Sequence, residues 1–300
     1  MKYQVVHKNQ YYYARNVSLC HNLAHLTARD CGGQTCLSHE LQISSPPVVL
    51  STRTDYFGNL VTFFTVQEPH RKLDVTAVNV VEVHPRPIPD PAKTTPWEEA
   101  RRLLRLRRDE ETLDAYQFAF DSHYVKADPQ LTAFAAPSFT PGRPLLEAAL
   151  DLTHRIYSEF TFDSSATTID TPLDELLKNR RGVCQDFAHL GIGCLRSLGL
   201  AARYVSGYLL TNPPPGQKRL IGADMSHAWL SVFIPDFGWI DFDPTNDVIP
   251  REKHITLAWG RDYDDVSPLK GVILGGGGHT LKVAVDVRAE HEPTDQSQSQ

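Results

Sequence analysis

Three short stretches of this 300-residue chain carry residue types that can do covalent chemistry. In GVCQDFAHL, Cys184 follows a glycine and opens a segment with helical spacing. SHAWLSVFI begins with His227, and WIDFDPTN holds Asp241 and Asp243. A thiol at a helix start faces backbone N–H groups that have no intrahelical partner and the positive end of the macrodipole. Nucleophilic cysteines use that setting. Such a cysteine also needs a base, and the base needs an orienting group.

The second and third stretches offer both. Pro235-Asp236-Phe237-Gly238 is a turn signal between two β-rich runs, so 227–234 and 239–243 predict an antiparallel hairpin. A hairpin sets the start of its first strand beside the end of its second, which brings His227 to Asp243. Asp241 and Asp243 share one face and differ by roughly 7 Å along the strand. Asp243 is nearer the end that holds His227 and is the preferred partner. Cys194 falls on the apolar stripe of the same helix and reads as core.

Positioning these groups requires an α+β framework. Residues 1–84 read as an N-terminal β domain, sandwich-like, with strands near 37–44, 60–66 and 73–83. DYFGN (55–59) predicts a turn with Gly58 and Asn59 at positive φ. Residues 85–96 hold five prolines in twelve positions and read as a stiff linker. Residues 97–288 read as the core that carries the chemistry. Its predicted helices span 97–108, 144–160, 171–182 and 184–198. Thr171 is the predicted N-cap of the third, Pro172 its first residue and Gly182 its end; Gly199 closes the fourth. Strands follow at 202–210, 227–234, 239–243 and 280–287. The polar tail 289–300 reads as disordered.

Composition excludes several classes. A net charge of −6 gives no basic footprint for nucleic acid. No apolar run is long enough to span a membrane, and the first residues lack the apolar stretch of a secretory signal. Five dispersed cysteines suit a reducing compartment, so a cytoplasmic location is expected.

In order, GVCQDFAHL, ARYVSGY and SHAWLSVFIPDFGWIDFDPTN resemble the core of the transglutaminase-like family, in its bacterial cysteine-hydrolase branch. The resemblance implies a papain-like core with Cys184, His227 and Asp243 as catalytic triad. It favours Asp243 over Asp241, because the family's aspartate precedes a Pro-Thr or similar pair, here Pro244-Thr245. The β run from Tyr3 to Val83 is similar to the β domain that precedes this core in bacterial members, and 258–287 to their C-terminal part. The implied activity is acyl transfer on an amide through a thioester. Hydrolysis of a peptide, isopeptide or other amide bond is expected, with no cofactor. Amine transfer to a protein glutamine and a non-catalytic binding role are the alternatives. The expected partner is a peptide or protein amide. Eukaryotic relatives place an oxyanion-binding indole well upstream of the cysteine; no tryptophan stands in the matching stretch.

Other motifs read more plainly. Cys184 and His189 diverge around their helix, which argues against a metal. CHNLAH (20–25) with Cys31 and Cys36 lacks both the Glu of HExxH and a CxxC pair. GGGG (275–278) lacks the Lys and Ser/Thr of a phosphate loop and reads as a turn. GRDYDDV (260–266) could rim a cleft or be a solvated turn, and it lacks the calcium-loop pattern.

Overall fold

The computed structural model describes residues 1–211, 224 and 226–290. Five strands come first: β1 (Lys2–Ala24), β2 (Gln34–Ile43), β3 (Val49–Thr54), β4 (Leu60–Val66) and β5 (His70–Val83). They form one sheet in the order β2-β5-β1-β4-β3. Pairing of β1 with β5 slips between Tyr12 and Val17, and past that bulge β1 pairs with β4 as well. Such a bulge bends a strand and sharpens its twist.

The alternation of β5 shows what the bend achieves. Leu73, Val75 and Ala77 share a core with Val17, Cys20, Phe64 and Val66, so the two ends of the sheet pack on each other. Val81 and Val83, further along the same face, join Tyr3 and Val5 in the main core of the rest of the molecule. The sandwich-like expectation is met by one folded sheet. In the DYFGN turn the Asp55 carboxylate accepts the N–H groups of Phe57 and Asn59, and Gly58 has a φ of 77°. Asn59 does not take the expected positive φ. It is buried, and its side-chain amide reaches the Trp259 carbonyl at 2.9 Å.

After the proline segment come α1 (Trp97–Leu106), α2 (Glu110–Tyr116), α3 (Pro129–Ala135) and α4 (Leu145–Glu159). Two-residue strands β6 (Thr161–Phe162) and β7 (Arg181–Gly182) flank α5 (Leu173–Asn179). α6 (Cys184–Ser197) leads into β8 (Ala202–Leu209), β9 (Ser226–Ile234), β10 (Gly238–Phe242) and β11 (His254–Gly260), and α7 (Tyr263–Val266) follows. The four strands form an antiparallel sheet in the order β10-β9-β8-β11, with α6 packed against β9 and β8.

Two helix ends differ from the sequence reading. α5 starts after Pro172, because the Thr171 hydroxyl accepts the Thr168 N–H and so is used within the preceding turn. It ends at Arg180, which takes a left-handed φ of 54°, and Gly182 belongs to the strand beyond. The end of α6 agrees with expectation: Gly199 has a φ of 78°.

β12 (Leu269–Gly275) and β13 (His279–Ala289) return to the first sheet, joined by the glycine turn at positive φ. β12 pairs with the second half of β1, and β13 with the first half, from Tyr3↔Ala289 to Tyr13↔His279. The stretch 97–288, read as one contiguous core, therefore gives its last two strands to the N-terminal sheet. β13 runs through Ala289, so the expected disordered tail cannot begin there; 291–300 lie outside the described residues.

β8 owes its place to a glycine. A Cβ on Gly207 would lie 2.1 Å from the Ile255 carbonyl oxygen and 2.5 Å from the Trp229 indole. Backbone on one side and a fully buried ring on the other leave no room to yield. Gly207→Ala is expected to destabilise the protein by about 2 kcal/mol or more, the cost of overpacking a closed site. Urea unfolding checks this, with a lower midpoint at unchanged slope as the expected result.

Candidate active site

Cys184 is the first residue of α6 and is half-buried. Val183 before it is extended, and its N–H donates to Asp186 Oδ2 at 2.8 Å. The Thr167 hydroxyl donates to the same oxygen at 2.6 Å. Asp186 thus caps the turn that presents the cysteine. Burial pushes its carboxyl up, against the pull of Thr167 and the Val183 N–H. Gly182 is required beneath: a Cβ there would meet Asp186 Oδ2 at 2.7 Å.

The predicted hairpin is present, with Gly238 opposite Ile234 and Phe242 opposite Leu230. Its turn uses left-handed Asp236 and Gly238. His227 is the second residue of β9 and pairs with Gly207. Asp243 leaves β10 and is fully buried. His227 Nε2 lies 2.7 Å from Asp243 Oδ2. Cys184 faces the His227 ring closely enough to raise its basicity. With Nε2 on the carboxylate, Nδ1 is the ring nitrogen left for the sulfur. The fold thus brings three groups distant in sequence into one place.

Sequence reasoning missed two further members. His254, the first residue of β11, donates from Nε2 to Asp243 Oδ2 at 3.0 Å. Asn246 donates to the same oxygen at 2.7 Å, and the Thr245 N–H reaches Oδ1 at 3.0 Å. Asn246 sits in the DPTN turn, where an amide just past a buried acid was a readable signal. His254 had none, since its approach depends on β11 pairing with β8. Asp241 goes elsewhere and accepts the Trp229 indole N–H at 3.2 Å.

Electrostatics follow from these contacts. Burial alone would push the His227 imidazolium down; the hydrogen bond to Asp243 and the nearby Cys184 overcome it and hold the ring up at about 10. Burial would raise the Asp243 carboxyl, but the His227, His254 and Asn246 donors hold it well below the usual carboxylate range. His227, Asp243 and His254 place ligand-type atoms within 4.8 Å of one another. The short N–H contacts to Oδ2 account for that clustering without a metal ion.

The other sequence candidates disperse. Cys194 is fully buried, and burial pushes its thiol up. His189 is buried between Tyr124 and Tyr204, accepts the Tyr263 N–H, and is pushed by burial down to about 4. In the CHNLAH segment His21 turns to Thr65 and His25 to the Ser267 carbonyl, while Cys20 enters the core. Within GRDYDDV, Asp262 caps α7 and Asp265 binds Arg261. Tyr204, on β8, is buried, and burial and then Cys184 raise its phenol. Its hydroxyl makes no hydrogen bond among the described residues.

Comparison with known proteins agrees with this geometry. Residues 3–82 match the model of the bacterial transglutaminase-like N-terminal region, and 132–244 that of the transglutaminase-like superfamily. The chain belongs to the transglutaminase-like superfamily. An uncharacterised protein of Mycobacterium tuberculosis is 43% identical over 297 residues, covering 95% of this chain and 92% of its own. A protein-glutamine gamma-glutamyltransferase of Pseudomonas aeruginosa is 35% identical over 93 residues, 31% of this chain and 14% of its own. The solved structure of a candidate cysteine protease from Cytophaga hutchinsonii superposes with a TM-score of 0.77 at 22% identity, covering 100% of this chain and 94% of that one. Among the described residues no helix is long and apolar enough to cross a membrane.

A group like His227, whose folded-state pKa exceeds its unfolded value, adds stability that is complete below the unfolded value, about 6.5, and lost as pH rises through about 10. Imidazole NMR of the folded protein should show a protonated His227 ring across the neutral range, deprotonating near pH 10. Asp243→Asn is expected to bring that transition back toward neutrality.

Proposed function

We propose that this protein is a cysteine-dependent acyl-transfer enzyme acting on amide bonds, with Cys184 as nucleophile, His227 as acid–base and Asp243 as its orienting carboxylate. The observation that carries the reading is the meeting of the three groups at a helix start and a hairpin end. The Cys184 thiolate, paired with the His227 imidazolium, attacks the amide carbonyl carbon. A C–S bond forms, and the carbonyl π electrons move to oxygen. Collapse breaks the C–N bond, and the leaving amine takes the His227 proton. The thioester is then resolved by water or an amine, with His227 accepting the attacking group's proton.

The oxyanion needs donors fixed in advance. The Cys184 backbone N–H, at a helix start, is one. We pair it with the Tyr204 hydroxyl, which is in electrostatic reach of Cys184 and not engaged by other described residues. Tyr204→Phe is expected to lower kcat about 10²-fold, the usual loss for one such donor.

Hydrolysis is the preferred outcome, giving a peptidase or amidase. Amine transfer is the second reading, favoured by the Pseudomonas transglutaminase relative over its 93 matched residues. Incubation with a glutamine-bearing peptide and a labelled primary amine separates them: released acid supports hydrolysis, and amine incorporation supports transfer. Cys184→Ala should abolish either product, and turnover retained in that variant would overturn the nucleophile. Iodoacetamide near neutral pH should alkylate Cys184 much faster than buried Cys194; equal, slow labelling would instead favour a binding module.

A further inference from the structure

Trp229 and His254, close neighbours of His227, also line a cavity of about 410 Å³. Its other walls come from the proline segment, the N-terminal sheet and β10, including Ile88, Gln34, Trp239 and Asp241. That volume is in the range of small-molecule sites. Arg203, on β8, enters it. The residue is only 7% exposed, and its guanidinium lies 4.1 Å from the Trp239 ring centre and 3.7 Å from that of Trp259.

Among the described residues the Arg203 guanidinium makes no hydrogen bond or salt bridge, and its Nε is buried without a partner. Arg29 adds a second positive charge, 3.6 Å over the Trp259 ring, and its Nε is likewise unpartnered. Asp241 is the main opposing charge, with Asp114 a smaller one and Glu111 also on the wall, but the Asp241 hydrogen bond goes to Trp229 and none of the three bonds Arg203. A buried guanidinium without an acceptor is costly. Two indoles lie against it, and it lines the cavity with no protein acceptor for its N–H groups among the described residues. A planar carboxylate accepts a guanidinium edge through two parallel hydrogen bonds.

We propose that this cavity is a binding site for a single carboxylate, gripped by Arg203 between Trp239 and Trp259. Asp241 alongside disfavours a phosphate dianion. The aromatic walls suit a carboxylate on an apolar or aromatic body. The group could be a free small acid or the C-terminus of a peptide. The site is separate from the acyl-transfer reading and does not depend on it.

Tryptophan fluorescence of the full chain, titrated with benzoate and with its neutral analogue benzamide, tests the proposal. A short peptide with a free C-terminus, and the same peptide amidated, form the second arm. Saturable quenching is expected with benzoate or the free peptide, and none with the neutral partners. A response to benzoate alone assigns a free acid, and a response to the free peptide alone assigns a chain terminus. Arg203→Met should weaken binding at least tenfold while keeping the fold, since it removes an unpaired buried charge. Should that variant not fold, Asp241→Asn decides: binding should tighten several-fold, and unchanged or weaker binding would overturn the site. No saturable response to either carboxylate, an equal response to benzamide, or undiminished binding in folded Arg203→Met would also overturn it.

Discussion

A carboxylate with no access to water governs this molecule. Asp243 is fully buried, and an ionised group in that position is strongly unfavourable unless its oxygens are satisfied. Here Oδ2 accepts from His227, His254 and Asn246, and Oδ1 from the Thr245 N–H. The donors arrive on three separate pieces of backbone: the start of β9, the start of β11 across β8, and the DPTN turn. The hairpin register, the pairing of β11 with β8 and the DPTN turn must all form together for the charge to be tolerated. Burial of Asp243 then makes His227 the strongly basic member of the pair.

That dependence reaches beyond the catalytic sheet. Gly207 lets the edge of the Trp229 indole approach β8 closely, and Trp229 ties Asp241 so that it cannot compete for His227. The two sheets are joined by polar side chains. Gln34 exchanges hydrogen bonds with the Thr256 backbone, and Asn59 does the same with Trp259. These bonds satisfy β11, whose far edge would otherwise be an unpaired row of N–H and C=O groups. The N-terminal sheet is thus a structural edge guard for the strand that carries His254.

What the sequence revealed follows from which interactions are local. The hairpin could be read because a period of two and a turn signal fix where its ends meet, and that alone placed His227 on Asp243. α6 could be read from its apolar stripe and closing glycine. His254 could not, because no local pattern says which strand will lie beside β8. The start of α5 was misplaced by one residue since Thr171 had a competing use in the preceding turn. The expected positive φ at Asn59 failed for a similar reason: its side chain was committed to the other sheet. Strand 280–287 was visible as a strand, but its partner was not, since pairing across the chain leaves no mark in nearby residues.

That pairing has a consequence for assembly. Tyr3 lies beside Ala289, so the first strand is flanked by one drawn from almost the far end of the sequence. Until that return strand arrives, the edge of β1 that it covers stays open to foreign chains. The topology trades speed of acquisition for closure: contacts of such long sequence separation form slowly, and once formed they stitch the first strand and β13 into one seam.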